Sequence, residues 1–395
     1  MMKPASLILV SAFCLIVSAC EFKTERRVTK AAASESAAAS LHRAEEEARI
    51  AAEAVRARML TDTARFFAGL AVDPSSDFYD LTQTDVWKCF ARKLNALWAA
   101  FGEPEVRMRA WAQRELAPVH DPSAPLFYPF SGPDIIFPEV FFPCSAQVIL
   151  VGLEPVGAVP GREALYPQRL DEMLSLYMIS VQDIVRLSFY RTRVMDSELA
   201  SPMLKGIVPI LMVSLARLGM DIDDLELGNL DENGEFIPEA EDSPTEKSAI
   251  RIHYRKASEA LDKTLIYFSF DLSNAGLKKR PALEVYLQRN AARCFTLLKS
   301  ASYLCRKPYF SVIRKTILSR SYAVLQDDSG LSYASFDRNT WRISLYGRYE
   351  GPVELFKDSF EQDLYDAMKK SAKRLNFRFG YSRASSLLLA TKKPL

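Results

Sequence analysis

The chain has 395 residues, 49% of them hydrophobic and 25% charged, with a formal net charge of +2. That balance belongs to a globular protein and excludes a disordered or fibrous chain. There is no basic stripe interleaved with aromatics, which argues against a nucleic-acid partner.

Residues 1–20 read MMKPASLILVSAFCLIVSAC. Lys3 supplies a positive start, and Ala5 to Val17 is an apolar run of signal-peptide length, too short to span a bilayer. The run ends in Val17-Ser18-Ala19-Cys20, an aliphatic residue, two small ones and a cysteine, which resembles the lipobox of bacterial lipoproteins. The resemblance implies cleavage before Cys20, acylation of its thiol (palmitate-type chains) and anchoring in a membrane of the cell envelope, either the outer membrane or the outer face of the cytoplasmic membrane. Several acyl chains hold a protein far better than one, since each buried CH2 contributes roughly 0.8 kcal/mol. A plain signal peptide cut near Ala19 and an uncleaved anchor are the alternatives.

From Glu21 to Ser40 the chain is polar and rich in Ala and Ser, a flexible tether. Leu41, Ala44, Ala48, Ala51, Val55 and Met59 then recur at helical spacing, with Glu45 and Arg49 set for an i,i+4 pair. The expected organisation is a signal peptide over 1–19, a lipidated flexible and helical tether over 20–62, and a single domain over 63–395.

That domain opens with two predicted helices, Asp85–Phe101 behind a Thr84 cap and Pro104–Leu116 with proline in its first turn. Strands are predicted over Pro125–Phe130 and Ala146–Leu153, flanking a turn at Ser131–Asp134 and a short helix over Asp134–Phe142. The continuous apolar AQVILVGL of the second strand suggests cover on both faces. A long helix is predicted over 167–195 and a buried one over Ile207–Leu218. Gly206–Met220 comes closest to a membrane span, but Pro209 and Arg217 interrupt it. A β-hairpin excursion at about 221–262 follows, turning at Asp231–Gly234, with further strands at Ile250–Tyr254 and Thr264–Phe270.

The last third alternates between helices at Leu283–Asn290, Phe310–Ser319 and Phe360–Lys373 and strands at Phe295–Lys299, Tyr322–Gln326, Ile343–Tyr349 and Ser386–Ala390. Such alternation predicts an α/β fold with a mostly parallel sheet flanked by helices, Rossmann-like or methyltransferase-like.

Cys89, Cys144, Cys294 and Cys305 remain once Cys14 leaves with the signal and Cys20 takes lipid. Two disulfides are open to an exported chain, but free buried thiols are the preferred reading for a core this large. With only His42, His120 and His253 available, none beside a cysteine, no zinc site is expected.

The most suggestive chemistry lies between Phe127 and Glu154. A strand, a turn holding Ser131, Gly132 and Asp134, a short helix, and a strand closed by Glu154 follow the layout of a nucleotide-binding start, the acid placed for ribose hydroxyls. A single glycine and Pro133 depart from that pattern, so a scaffold without a cofactor is expected. Ser131 follows a strand as a nucleophile would, with His120 as an available base, but prolines occupy the glycine positions of GxSxG. Asp327-Asp328-Ser329-Gly330 follows another strand, a position suited to a divalent cation or a sugar, yet neighbouring strand residues point to opposite faces. Asn229, Asp231, Asn233 and Gly234 match a calcium loop only in part and read as a hairpin turn. Lys299–Tyr303 lacks both SxxK and YxxxK spacing and reads as a strand end.

At LFYPFSGPD (Leu126–Asp134), FFP (Phe141–Pro143), GLEPVG (Gly152–Gly157), YFSFDLSN (Tyr267–Asn274), LKSASYL (Leu298–Leu304) and LQDDSG (Leu325–Gly330), the chain resembles a family of bacterial exported proteins with no established activity. The resemblance spans roughly Thr63 to the C-terminus and transfers no catalytic role. The expectation is a non-catalytic binding or structural protein at the membrane, with an envelope protein as a potential partner. The alternative is an enzyme, intact or decayed, on a nucleotide-binding-type scaffold.

Overall fold

The computed structural model describes residues 41–162, 170–172, 174, 175, 178, 206–240, 243–256, 258–300, 302–380 and 384–394. The lipobox segment and the predicted tether over 21–40 lie outside the described residues, as does most of the helix predicted over 167–195. No described helix is long and apolar enough to cross a membrane.

The chain divides into two units, Met1–Val55 and Arg56–Leu395. In the first, residues 41–55 are helical and exposed throughout. Arg49 does not pair with Glu45. It bridges Glu46 and Glu53 instead, one turn away on either side, because its fork reaches both the i−3 and the i+4 neighbour.

The second unit begins with the rest of that helix (α1, described over 41–67), where Leu60, Ala64, Phe66 and Phe67 enter the core. A short turn of helix, α2 (Tyr79–Thr82), leads to α3 (Asp85–Glu115). The two helices predicted here are one, with Pro104 inside it. Pro104 offers no N–H to the carbonyl four residues back. The helix nevertheless continues, because buried Leu94, Leu97 and Phe101 precede the proline and Met108 and Trp111 follow it on the same stripe. Thr84 caps the helix, its hydroxyl accepting from the Trp87 N–H at 3.2 Å. Thr84→Ala is expected to lower unfolding stability by about 1 kcal/mol with no change in fold, measured by urea titration; an unchanged midpoint would show that the cap is idle.

Among the described residues ten strands form one sheet: β1 (Leu126–Pro129), β2 (Gln147–Gly152), β3 (Met220–Leu230), β4 (Phe236–Pro238), β5 (Ala249–Lys256), β6 (Asp262–Ser269), β7 (Cys294–Leu298), β8 (Ser321–Gln326), β9 (Trp341–Gly347) and β10 (Ser386–Lys392). Their order across the sheet is β4-β3-β5-β6-β2-β1-β7-β8-β10-β9. The expected mostly parallel, Rossmann-like or methyltransferase-like sheet is therefore wrong. The sheet is mixed: only the pairings among β6, β2, β1, β7 and β8 are parallel, and the five pairings on the two wings are antiparallel. On the β4–β6 wing the physical reason is connection length. The turn between β5 and β6 is far too short for a crossover helix, so those strands must pair antiparallel. The hairpin predicted as an excursion is likewise a wing of the main sheet, its eleven-residue β3 paired along β5.

Helices cover both faces. On one lie α3, α4 (Ile136–Phe141) and α5 (Val208–Arg217); on the other lie α6 (Asn274–Lys279), α7 (Ala282–Asn290), α8 (Ser311–Arg320) and α9 (Gln362–Ser371). Val148 and Leu150 of β2 face the first layer, and Ile149 and Val151 face the second. This two-sided burial accounts for the unbroken apolar run read from the sequence. Cys89, Cys144, Cys294 and Cys305 are free thiols, Cys144 exposed and Cys294 and Cys305 buried. Burial pushes the Cys305 thiol up to about 12, which leaves it without thiolate reactivity.

Candidate functional site

The order of strands reverses at β1. The chain first builds β2 and later β6 on one side of it, then β7 and β8 on the other. In open sheets the carboxyl ends beside such a reversal are where ligands tend to lie. Two structures meet there, a sealed polar plug and an apolar cleft.

The plug begins with Asp134, just past β1, and Lys299, the residue after β7. Lys299 Nζ lies 2.6 Å from Asp134 Oδ2, and the two side chains are 1% and 2% exposed. Asp134 also accepts from the Tyr128 hydroxyl at 3.1 Å and from the Phe137 N–H at 3.3 Å. The ammonium sits 3.7 Å from the centroid of the Phe137 ring. Burial pulls the Lys299 pKa down, and Asp134 opposes that only in part.

Asp327 and Asp328 follow β8. Asp327 accepts from the Ser300 N–H at 2.9 Å, the Ser329 N–H at 2.9 Å and the Ser329 hydroxyl at 2.5 Å. Asp328 turns the other way, taking the Tyr303 hydroxyl at 2.6 Å and the Ser386 hydroxyl at 3.2 Å. Burial, reinforced by the Asp328 carboxyl, pushes Asp327 up to about 7. Gly380 closes over the pair, where any Cβ would run into the Asp327 carboxylate. Among the described residues no three His, Cys, Asp or Glu side chains are placed to hold a metal ion.

The cleft lies beside the plug, over the ends of β1, β2 and β6. Its volume is about 240 Å³, and Phe130, Val151, Leu153, Phe270, Leu304 and Phe310 form most of its wall. Leu153 is 65% exposed at its mouth. Glu154 also lines the cleft. The Glu154 carboxylate accepts from the Leu153 N–H at 3.1 Å and from the Tyr267 hydroxyl at 3.3 Å. Two glycines make room for it. A Cβ on Gly152 would collide with the carboxylate and stand 2.9 Å from the Gly132 Cα.

Past β1 and β7 the chain turns at Phe130 (φ +60°) and Ser300 (φ +67°), both in the left-handed region that non-glycine residues avoid. Strain of this kind clusters where a structure holds a site.

The residues singled out in the sequence divide between these two features. Gly132 and Glu154 meet in the cleft, while Asp134, Asp327 and Asp328 lie in the plug. Ser131 lies in neither as a nucleophile. Its hydroxyl takes the Val151 N–H at 3.1 Å and extends the β1–β2 ladder. His120 sits at the other end of the sheet, 3.0 Å from the Ser145 hydroxyl ahead of β2, so it cannot act as base for Ser131. Asp231–Gly234 forms the β3–β4 turn, closed by the Glu235 N–H on Asp231 at 2.7 Å.

Sequence reasoning passed over Lys299 as a strand end. The available signal was a lysine directly after the largely apolar CFTLL, a strand buried along its whole length, where only a paired charge is tolerated. Phe130, Phe270 and Phe310 carried no local signal, since they come together from three separate loops. Comparison with protein-family models, with curated proteins and with solved structures gave no match to this chain.

Proposed function

We propose that this protein is a lipid-anchored binding protein of the bacterial cell envelope that holds a small, largely apolar molecule in the cleft above Gly132 and performs no chemistry on it. The observation that carries the reading is the division of labour at the strand ends. The cleft wall is mostly aromatic and aliphatic, with Glu154 and Asp271 as its acidic groups, whereas Lys299, Asp134 and Asp327 are sealed in the plug beside it. Pockets of this kind take apolar ligands and use a few polar groups to orient them. The Val17–Cys20 motif supports the address.

The size of the cleft sets the size of the guest. A cavity of about 150 Å³ holds benzene, so about 240 Å³ suits roughly nine or ten non-hydrogen atoms. Toluene at saturation is expected to raise the melting temperature of the full-length protein by about 1–3 °C, through preferential binding to the folded state. Leu304→Trp, which fills the cleft, is expected to abolish the rise. An identical rise in that variant would place the binding elsewhere. For the address, labelled palmitate is expected in the wild-type chain and not in Cys20→Ala; unlabelled wild-type protein in the cytosol, still bearing Met1, would remove the anchoring reading.

A further inference from the structure

Resting on the cleft and on the envelope address read above, we infer that the rim of the cleft is a membrane-docking surface, which settles on the headgroup layer of an anionic bilayer with the mouth of the cleft turned toward the hydrocarbon. Two features meet at this rim, a continuous apolar surface and a run of exposed cations.

The apolar wall does not stop inside the cleft. Phe130 and Phe310 line it with their rings 5.6 Å apart, and the Phe310 ring meets that of Tyr309 at 5.1 Å. Tyr309 is 55% exposed, and Leu153 at the mouth is more exposed still. One such side chain alone is ordinary, but these two carry an apolar lining outward onto the surface. Tyrosine, with an apolar ring and a polar tip, suits the level of lipid headgroups.

The cations follow directly on the same wall. Phe270 and Leu272 line the cleft, and α6 begins two residues later, its Leu277 packed in one cluster with both of them and with Phe310. Asn274 ties α6 to the turn that carries Tyr309, donating to the Pro308 carbonyl at 3.3 Å and the Ser311 hydroxyl at 3.0 Å. The helix ends in Lys278 and Lys279, followed by Arg280, all three exposed. Arg280 brings this end back to the wall, its guanidinium 3.9 Å from the Phe270 centroid and bonded to the Ser248 hydroxyl at 2.7 Å. Lys278 and Lys279 form no ion pair among the described residues. The exposed acid of the lining, Asp271, is turned onto the Ser273 N–H and hydroxyl, both at 2.8 Å. The helix dipole alone favours lysines in a last turn; it does not account for their place beside an exposed apolar surface. Cations bordering apolar side chains match anionic headgroups over hydrocarbon, whereas a free anion in solution would find no use for Tyr309 and Leu153. A bilayer is also within reach, since the twenty residues Glu21–Ser40 between Cys20 and Leu41 span at most about 70 Å.

The test places a tryptophan at the rim. Full-length Tyr309→Trp is returned from detergent to nanodiscs of chain-brominated phosphatidylcholine, with and without brominated phosphatidylglycerol, and the wild type is measured alongside to subtract its own tryptophans. The added emission is expected to be quenched in the discs that contain phosphatidylglycerol and to recover at high salt. Adding Lys278→Gln and Lys279→Gln should weaken docking about thirtyfold and restore most of that emission. Both lysines are exposed, so their removal leaves the fold intact. No quenching in either disc would show that the rim faces away from the bilayer, and equal quenching in both, unmoved by the lysine substitutions, would show that the cations are idle; either result overturns the inference. The cleft reading is scored separately by toluene and Leu304→Trp: stabilisation by toluene without quenching keeps the cleft and removes the docking surface.

Discussion

Lys299→Met should destabilise the protein by about 3–5 kcal/mol, a large part of the 5–15 kcal/mol that holds a typical domain together. Methionine matches the length of the lysine stem and still meets the Phe137 ring, so packing changes little. The damage is electrostatic. Asp134 keeps the Tyr128 hydroxyl and the Phe137 N–H, at 3.1 and 3.3 Å, but loses the ammonium at 2.6 Å in a site with almost no access to water. A buried carboxylate left in that state costs far more than the ion pair contributed, because the pair itself largely offsets its own desolvation. The matching expectation concerns Lys299→Met combined with Asp134→Asn. The amide keeps an acceptor for Phe137, removes the stranded charge, and should recover most of the loss. Urea unfolding of the three proteins decides the matter. A double variant no more stable than the single one would mean that the plug holds the strand ends by specific geometry, not by charge balance.

The same plug shows what was and was not legible beforehand. The strand positions were, because a run such as AQVILVGL or CFTLL can only be buried, and the Thr84 cap and the Asp231–Gly234 turn carry local chemistry of their own. Strand direction was not. Period and composition place a strand but do not choose its neighbour, and β10 enters between β8 and β9 from the far end of the chain. The alternation of helices and strands suggested crossovers, yet the short links make β3–β4 and β5–β6 antiparallel, and β10 runs antiparallel to β8 and β9 across a long, helix-bearing connection. Gly132 and Glu154 were found because they border predicted strands. The aromatic wall of the cleft was not, since Phe130, Phe270 and Phe310 share only a place in space. Lys299 was visible as a residue and misread as a terminus, because a charged side chain is ordinarily taken to mark the end of burial.

The paired aspartates make the stability of the fold depend on pH in an unusual direction. Asp327 stands at about 7 in the folded chain and returns to about 3.9 when unfolded. Between those values the folded state binds the extra proton, so stability falls as pH rises. The contribution is complete below about pH 4 and lost once pH passes about 7, opposite to the usual salt-bridged carboxylate. Two causes raise Asp327, burial first and the Asp328 carboxyl second, against hydrogen bonds from Ser329 and Ser300 that lower it, and one substitution removes the second. Asp328→Asn keeps an oxygen and an NH2 for the Tyr303 and Ser386 hydroxyls, either of which can donate or accept. It removes the like charge and leaves Asp327 buried. The variant should match the wild type near pH 4 and exceed it near pH 8 by on the order of 1 kcal/mol, the worth of a coupling near one pKa unit. Urea midpoints across pH 4–8 measure this; the variant also lacks Asp328's own titration, which burial raises and whose loss adds to the difference in the same direction, while every group outside the pair is common to both proteins. Parallel curves would mean that the two carboxyls do not share their charge and that burial alone holds Asp327 protonated; a variant weaker at every pH would assign Asp328 to the hydrogen-bonding of Tyr303 and Ser386 instead.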